Sequence, residues 1–270
     1  MSGRDPKAVA QERFADAKVA SSDLIGQRAT DVPLVVRGLV EAVRERAGAG
    51  GRVIELGFGS GWLLEPLAAG LPGASLFGLD LSVTFARRAR ELHRDRVCVL
   101  IGDMDRLPFR DGAFNVIVTC WTLYFMRDID AAFDEFRRCL APGGRLIAAT
   151  SAPDHELEVT QLVAEAAGSA LGRDLSVADL DVGSRFDLDT GVAYAQRHFA
   201  KVELRTWQGQ MMLSTDEIAS MWKRWEPAPF PQSEQEAVRE VFVRLLEERL
   251  GADDSLRIRR REGAFVCDLE

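Results

Sequence analysis

The chain has 270 residues, a formal net charge of −8, and 47% hydrophobic against 28% charged residues. This acidic balance disfavours nucleic acid as a partner, because its phosphates would be repelled rather than neutralised. No apolar run approaches the length of a membrane span and the first residues carry no apolar signal-peptide core, so we expect a cytoplasmic protein that does not bind membranes. The four cysteines and three histidines are too dispersed for a metal site, so we predict reduced thiols and no bound metal.

Helices and strands alternate through the first predicted elements. The apolar residues from Val32 to Val43 recur at helical spacing, and the glycines at 48–51 end that helix. A helix is predicted after Gly61, another is capped by Ser82, and a further one precedes the fifth strand. The predicted strands lie at 53–56, 75–79, 97–101, 114–119 and 145–150. This alternation indicates βαβ units and a mostly parallel sheet with helices on both faces.

The pattern changes after the fifth strand. Residues 155–198 have helical character, and residues 201–213 alternate between apolar and polar side chains as a strand does. Two helices are predicted between 214 and 250, divided by the breaker EPAPFP at 226–231. A final strand at 263–267 is expected to return to the first sheet, which favours one domain over two.

A glycine-rich loop, ELGFGSG at 55–61, separates the first predicted strand from the following helix. Glycines are needed where the chain turns sharply and a ligand lies against bare backbone. The spacing is G-x-G-x-G, and Trp62 occupies the position of the third glycine of a dinucleotide-binding loop. Glu55 lies in a central strand, where burial is costly without a partner, so a positively charged ligand or the loop amides are expected to supply one.

Two further acidic residues follow the second and third predicted strands. Asp80 lies about 19 residues after the last loop glycine, where a carboxylate can accept both hydroxyls of a ribose. A simple helix-capping role for Asp80 stays open. Asp103 can accept the amino group of an adenine and Met104 offers an amide and an apolar face, although Asp103 also fits an ordinary surface loop.

Five sequence blocks, in order, resemble the class I S-adenosylmethionine-dependent methyltransferases, especially the ubiquinone/menaquinone C-methyltransferase-like branch that acts on small molecules. These blocks are VIELGFGSG at 53–61, GLDLS at 78–82, GDMDRLPF at 102–109, FNVIV at 114–118 and LAPGG at 140–144. The resemblance implies an α/β fold with a Rossmann-like, doubly wound, seven-stranded sheet. Its last strand, here from Ala264 to Leu269, is expected to run antiparallel.

The resemblance also assigns the cofactor site. The glycine loop is expected to face the methionine part of S-adenosylmethionine, Asp80 the ribose, and Asp103 with Met104 the adenine, while the end of the fourth strand lines the methionine part. The residues placed around the cofactor are Glu55, Gly57, Gly59, Gly61, Asp80, Leu81, Asp103, Met104, Cys120 and Trp121. We interpret residues 1–270 as one methyltransferase domain, with a helical lead at 1–48, a cofactor-binding core at 50–151 and lid-forming helical insertions at 152–198 and 214–262.

Several residues depart from the family pattern. Phe58 is bulkier than is usual in the glycine loop, Asn115 replaces an aspartate, and Tyr124 with Phe125 replaces a common pair of histidines. These differences leave the cofactor assignment intact but weaken any transfer of a substrate from relatives.

Candidate catalytic and substrate residues come from the segments after the fourth and fifth strands. His155 is the best candidate for a general base, with a solvated histidine at a helix start as the alternative. Tyr124 could orient a substrate or only pack. Met221, Trp222 and Trp225 are predicted to bind the acceptor, with ordinary core packing as the alternative. A substrate-binding role for them would indicate a small apolar or aromatic acceptor, such as a secondary metabolite or a quinone-like compound.

Three questions stay open at this level. The run Arg259, Arg260 and Arg261 is interpreted as a solvated face. A protein that binds S-adenosylmethionine without transferring its methyl group would have the same sequence blocks, and a nicotinamide-dependent oxidoreductase would share the glycine loop and the acidic residue. The oligomeric state, monomer or homodimer, is not readable from the sequence.

Overall fold

A computed structural model describes residues 25–93, 95–180, 185–222, 231–250 and 254–270. Seven strands form one sheet in the order β3-β2-β1-β4-β5-β7-β6. The strands are β1 Arg52–Leu56, β2 Ser75–Asp80, β3 Val97–Ile101, β4 Phe114–Cys120, β5 Leu140–Ser151, β6 Lys201–Ser214 and β7 Ser255–Asp268. Strands β1 to β5 pair in parallel, and β7 is antiparallel to both β5 and β6. The predicted seven-stranded Rossmann-like fold with an antiparallel last strand is confirmed.

Helices cover both faces of the sheet, as the alternation predicted. They are α1 Val32–Ala47, α2 Leu64–Gly70, α3 Val83–Leu92, α4 Ile129–Cys139, α5 Leu157–Leu171, α6 Val177–Leu180, α7 Thr190–His198, α8 Thr215–Ser220 and α9 Gln232–Leu250. Helices α1, α2 and α3 bury their apolar stripes against one face, and α4 and α7 cover the other. Because both faces are covered, the central strands β1 and β4 are almost entirely buried.

Strands β6 and β7 are longer than the sheet they join. Their pairing continues from Gln208 and Arg261 to Ser214 and Ser255, beyond the carboxyl end of β5 at Ser151. We call this two-stranded extension, residues 208–214 and 255–261, the ribbon. Since β7 runs antiparallel, the ribbon projects past the carboxyl edge of the parallel strands, where ligands bind in open α/β sheets.

A third hydrophobic core lies between the ribbon and the helices α5, α8 and α9. It contains Met211 and Ile258 from the ribbon together with Leu162, Ile218 and Phe242 from the three helices. We call these helices with the ribbon the helical module. Of the helices described, none is both long and apolar enough to cross a bilayer.

One boundary predicted from the sequence is wrong. The second helical insertion was expected to extend over 214–262, but β7 already begins at Ser255. The charged residues at 257 and 259–262 interrupt the apolar pattern that marks a strand, and the pairing with β6 overrides that local composition.

Candidate active site

The glycine loop follows β1 in a conformation that only glycine adopts easily. Gly57 and Gly59 have φ angles of 69° and 54°, in the left-handed region. The Gly57 N–H donates to the carbonyl of Leu79 at 2.7 Å, which anchors the loop to β2. A Cβ at Gly57 would collide with the methyl group of Thr122, whereas a Cβ at Gly59 would meet no atom within 4 Å. The loop is therefore tightly packed at Gly57 and open to a ligand at Gly59.

The bulky Phe58 points away from this open side. Its side chain is fully buried in the core between the sheet and α1 to α3, and it lies against Gly78 of β2. Because Gly78 has no Cβ, the ring fits beneath the loop. The family departure at Phe58 is thus a core substitution and leaves the ligand side of the loop free. Asn115 is also structural, since its Oδ1 accepts the N–H of Arg52 at 2.9 Å.

Asp80 connects the glycine loop to the start of α3. Its Oδ2 accepts the N–H of Gly59 at 2.8 Å and its Oδ1 accepts the N–H of Ser82 at 2.7 Å. Burial raises the pKa of Asp80, and these backbone bonds oppose the rise. A carboxylate oxygen accepts more than one hydrogen bond, so Asp80 can organise the loop and still accept hydroxyl groups of a ligand. Leu81, which follows it, is partly exposed.

Glu55 is the most unusual polar group at this edge. Its side chain is 1% exposed, and neither carboxylate oxygen has a hydrogen-bond partner among the described residues. Burial raises the pKa of Glu55 to about 8, and the nearby charge of Asp80 contributes to the rise. An orphaned buried carboxyl is costly, so this position favours a donor or a cation that the described residues do not supply.

The residues predicted on the adenine side lie after β3. Asp103 accepts the N–H of Asp105 at 2.9 Å through Oδ1 in a tight turn, and Met104 is buried with its sulfur facing Gly57. Both lie at the carboxyl edge beside β2, the edge that also carries the glycine loop. The structure therefore brings Asp103 and Met104 to the same edge as Glu55.

The end of β4 contributes a thiol and an indole. Cys120 is buried, and burial raises its pKa well above the usual range, with the charges of Glu55 and Glu262 adding to this effect. Trp121 has a φ angle of 54°, which is rare for a residue with a side chain of this size. Its ring lies 5.5 Å from that of Trp62, the residue that follows the glycine loop. The two indoles therefore stand next to each other beside the loop.

The Trp121 indole is bonded to a buried group of charges. Its Nε1–H is 2.9 Å from the Oγ of Ser151 and 2.9 Å from Oε2 of Glu262. Glu262 also accepts an N–H of Arg260 at 2.6 Å through Oε1. We call the following side chains the ionic cluster: Asp31, His155, Glu156, Arg260 and Glu262.

Arg260 is the centre of the ionic cluster. Its Nε lies 3.0 and 3.1 Å from the two oxygens of Asp31, and its Nη1 contacts Glu156. His155 lies with Nδ1 3.2 Å from the backbone of Arg261, and its Nε2 is 3.2 Å from Glu156 and 3.4 Å from Glu262. Both nitrogens of His155 thus face the protein interior. His155 as a general base stays a prediction, and this placement favours a role within the cluster.

Residues 54–148 match the protein family described as "Methyltransferase domain". Residues 54–148 are therefore a methyltransferase domain. It is 35% identical over 157 residues to malonyl-[acyl-carrier protein] O-methyltransferase of Chlorobium phaeovibrioides, covering 56% of this chain and 58% of the relative. It is 38% identical over 94 residues to demethylmenaquinone methyltransferase of Roseiflexus sp., covering 34% and 40%. Both matches span less than two thirds of the relative.

The fold of most of the chain also has a solved counterpart. The YcgJ protein of Bacillus subtilis superimposes with a TM-score of 0.56 at 14% identity, covering 87% of this chain and 97% of that protein. The family implies S-adenosylmethionine as the cofactor of the methyltransferase domain. The residues fit it, because the open side of Gly59 and the unpartnered Glu55 provide space and a carboxyl for a cationic ligand.

The other residues predicted to act in catalysis or acceptor binding lie in separate parts of the structure. Tyr124 is partly buried in a short 3₁₀ helix after β4, and its carbonyl accepts an N–H of Arg185 at 2.8 Å. Met221 and Trp222 are buried in the third core, where Trp222 packs on Phe242 with ring centres 5.1 Å apart. Their burial favours core packing, and substrate binding stays a prediction. Trp225 lies outside the described residues.

The sequence did not lead us to predict the ionic cluster, although the inward orientation of Arg260 was predictable. The interpretation of 259–261 as a solvated face is wrong for Arg260, which is buried. In a strand, neighbouring side chains point to opposite faces, so Arg260 had to point away from Arg259 and Arg261. No local signal links it to Asp31. Within the described part of the chain, no group of three or more histidine, cysteine or acidic side chains could hold a metal ion.

Proposed function

We propose that this chain transfers the methyl group of S-adenosylmethionine to a small neutral acceptor. The observation that carries the proposal is the unpartnered carboxyl of Glu55, buried beside the glycine loop of a domain that matches the methyltransferase family. A cationic ligand at this position would remove the cost of the orphaned group. Asp80 and the open face of Gly59 complete a site for a nucleoside-containing ligand.

The protein's own part in the reaction is binding and alignment. Bound S-adenosylmethionine would supply a methyl group that is already activated by the positive sulfur. Glu55, Asp80 and the glycine loop fix the position of the cofactor, and the aromatic wall of Trp62 and Trp121 excludes water beside it. Holding an acceptor in line with the transferred group is then enough for a large part of the rate enhancement.

The charge at the carboxyl edge favours a neutral acceptor. Asp80 and Glu262 lie at this edge, and the buried Arg260 is already bonded to three carboxylates. An anionic acceptor would be repelled, whereas an aromatic or quinone-like compound could stack against the partly buried indoles. Of the two acceptors that the relatives' names indicate, the quinone-like class therefore fits this site better than a carboxylate.

We further infer a cytoplasmic setting. All four cysteines are free, and three of them are buried within the fold. Unpaired thiols are typical of proteins in reducing compartments.

Gel filtration with light scattering would decide between the monomer and the homodimer that the sequence left open.

Calorimetric titration with S-adenosylhomocysteine tests the proposal, with NAD⁺ as the parallel ligand. We expect micromolar binding of S-adenosylhomocysteine, about 100-fold weaker binding in Asp80→Ala, and no binding of NAD⁺. Glu41→Gln, an exposed carboxylate on α1, is the matched control and should bind normally. Binding of NAD⁺ without S-adenosylhomocysteine would contradict the proposal.

A second experiment tests the acceptor class. Transfer of a radiolabelled methyl group is measured with demethylated quinones, simple phenols and malonyl thioesters as acceptors. We expect transfer to the neutral aromatic compounds. Cofactor binding without transfer to any acceptor would favour the reading in which S-adenosylmethionine is bound but its methyl group is not transferred.

A further inference from the structure

Two strained backbone positions lie where the carboxyl edge of the parallel strands meets the ionic cluster. Among the described residues, three that are not glycine have a left-handed φ angle: Trp121, Glu156 and Asp254. Two of these, Trp121 and Glu156, place their side chains on members of one cluster. Strained residues persist only when surrounding contacts hold them, and they are enriched at functional sites. Contacts with surrounding groups must therefore hold Trp121 in this conformation.

Both carboxylate oxygens of Glu262 accept hydrogen bonds, and one of these bonds comes from the Trp121 indole. Its Oε2 accepts the Nε1–H of Trp121 at 2.9 Å and the hydroxyl of Ser151 at 3.0 Å. Its Oε1 accepts an N–H of Arg260 at 2.6 Å and faces Nε2 of His155 at 3.4 Å. Hydrogen bonds to charged acceptors are among the strongest in proteins, and these occupy both oxygens. Glu262 is therefore built to fix its neighbours rather than to accept a proton from a substrate.

The same arginine ties this carboxylate to the start of α1. Asp31 precedes α1, and its side chain makes no capping bond to that helix, because its carboxylate is bonded to Arg260. The neighbouring Thr30 donates its N–H to the carbonyl of Gln210 in the ribbon at 3.0 Å. At Gly209 a Cβ would collide with Asp31, so the strand has a glycine where the two segments touch. The contact between Asp31 and the ribbon is thus a close, specific one.

We propose that Glu262 is a positioning residue that sets the place of the Trp121 indole in the cofactor site, and that Asp31 supports it through Arg260. The inference rests on the proposed function, because it concerns the same site. Trp121 stands beside Trp62 at the end of the glycine loop, so a change in its orientation alters the wall against the cofactor. Without Glu262, the strained backbone at Trp121 would relax and the indole would leave this wall.

The test combines an indole NMR signal with cofactor-product binding. In protein labelled with ¹⁵N-tryptophan, Trp121→Phe identifies the Trp121 Nε1–H signal by its loss. In Glu262→Gln, which keeps the size of the side chain, we expect this signal to move upfield and S-adenosylhomocysteine to bind about tenfold more weakly. Glu158→Gln is the matched control, since Glu158 pairs with the exposed Arg259 of the same strand and should leave both readouts unchanged.

A double-mutant comparison separates positioning from a general structural effect. If Glu262 acts through Trp121, Glu262→Gln should weaken binding no further in the Trp121→Phe background. Equal weakening in both backgrounds, or an unmoved Trp121 signal with unchanged affinity in Glu262→Gln, would overturn the proposal. Asp31→Asn should move the same signal by a smaller amount.

A milder variant keeps the test possible if Glu262→Gln does not fold. Ser151→Ala removes the hydroxyl that lies between Trp121 and Glu262, and we expect a shifted Trp121 signal with about threefold weaker binding. An unchanged signal in Ser151→Ala would count against the proposal. If the unmodified protein bound no S-adenosylhomocysteine, the proposed function would fail, while the indole signal would still report on the link between Glu262 and Trp121.

Discussion

Two buried glutamates at the carboxyl edge of the sheet have opposite surroundings. Glu55 in β1 is 1% exposed, and neither of its oxygens has a hydrogen-bond partner among the described residues. Glu262 in β7 is 2% exposed, and its oxygens accept bonds from Arg260, Trp121 and Ser151. A buried carboxyl without a partner lowers stability, whereas a fully bonded one organises its neighbours.

This difference divides the work of the site between two halves of the chain. In the half that contains β1 to β4, the buried Glu55 lacks a partner among the described residues, and the proposed cofactor would supply one. In the half that contains the ribbon and the helical module, Arg260 pairs with the buried Glu156 and Glu262, so this half supplies rigidity. Variants that change one half without the other can break or sharpen this contrast.

The largest effect is expected at the centre of the ionic cluster. Arg260→Met leaves Asp31, Glu156 and Glu262 buried without a guanidinium, which should lower the free energy of unfolding by about 3–5 kcal/mol. Urea unfolding measures this change. The neighbouring Arg259→Met removes only an exposed pair, and we expect a clearly smaller loss. Similar losses of unfolding free energy in the two variants would show that the buried cluster contributes no more than an exposed ion pair.

The buried Glu55 should make the free energy of unfolding fall as pH rises. Its pKa of about 8 lies above the ordinary value of 4.5, so between these values the folded protein holds a proton that the unfolded chain releases. The free energy of unfolding should therefore drop as pH rises, by about 2 kcal/mol between pH 6 and pH 8. Urea unfolding across this range checks the slope. Glu55→Gln should remove it, and a slope that persists in this variant would place its origin elsewhere.

Substitutions at two glycines with similar backbone angles should distinguish an effect on ligand binding from an effect on folding stability. Gly59 in the loop and Gly172 after α5 have φ angles of 54° and 61°, and a Cβ at either would meet no atom within 4 Å. Gly59→Ala and Gly172→Ala should each lower stability by about 1–2 kcal/mol. Only Gly59→Ala should weaken S-adenosylhomocysteine binding, as measured by calorimetry. Equal affinity in both variants would mean that the loop does not contact the ligand.

The smallest effect is expected at an exposed ion pair, which sets the scale for the buried charges. A hydrogen bond from His198, with help from Arg197, lowers the pKa of Asp130. The stabilisation is present at neutral pH and is lost as pH falls through this lowered pKa. Since Asp130 is 46% exposed, Asp130→Asn should cost only about 0.5 kcal/mol at pH 7. The cost should shrink as pH falls below 3.8, the ordinary pKa of an aspartate, and a loss that is unchanged at strongly acid pH would contradict the electrostatic cause.

The positions of the glycine loop and of Asp80 could be predicted because their signals are local. The glycine loop, the strand before it and Asp80 all lie within one βαβ unit, so spacing alone indicated their geometry. The burial of Phe58 was not predictable in the same way, because it depends on the missing Cβ of Gly78 in the neighbouring strand. His155 was placed at the correct edge, but its inward orientation depends on Arg261 and Glu262, which lie more than 100 residues away.

The sequence by itself determined the parallel core, the position of the glycine loop and the acidic residue after the second strand, since periodicity and turn chemistry act over a few residues. Only the tertiary structure decided which charges meet in the ionic cluster. Asp31 and Arg260 are 229 positions apart, and their contact depends on the order of strands in the sheet and on the register between β6 and β7. Strand order and register are set by packing of the whole chain, so no short stretch of sequence encodes that contact.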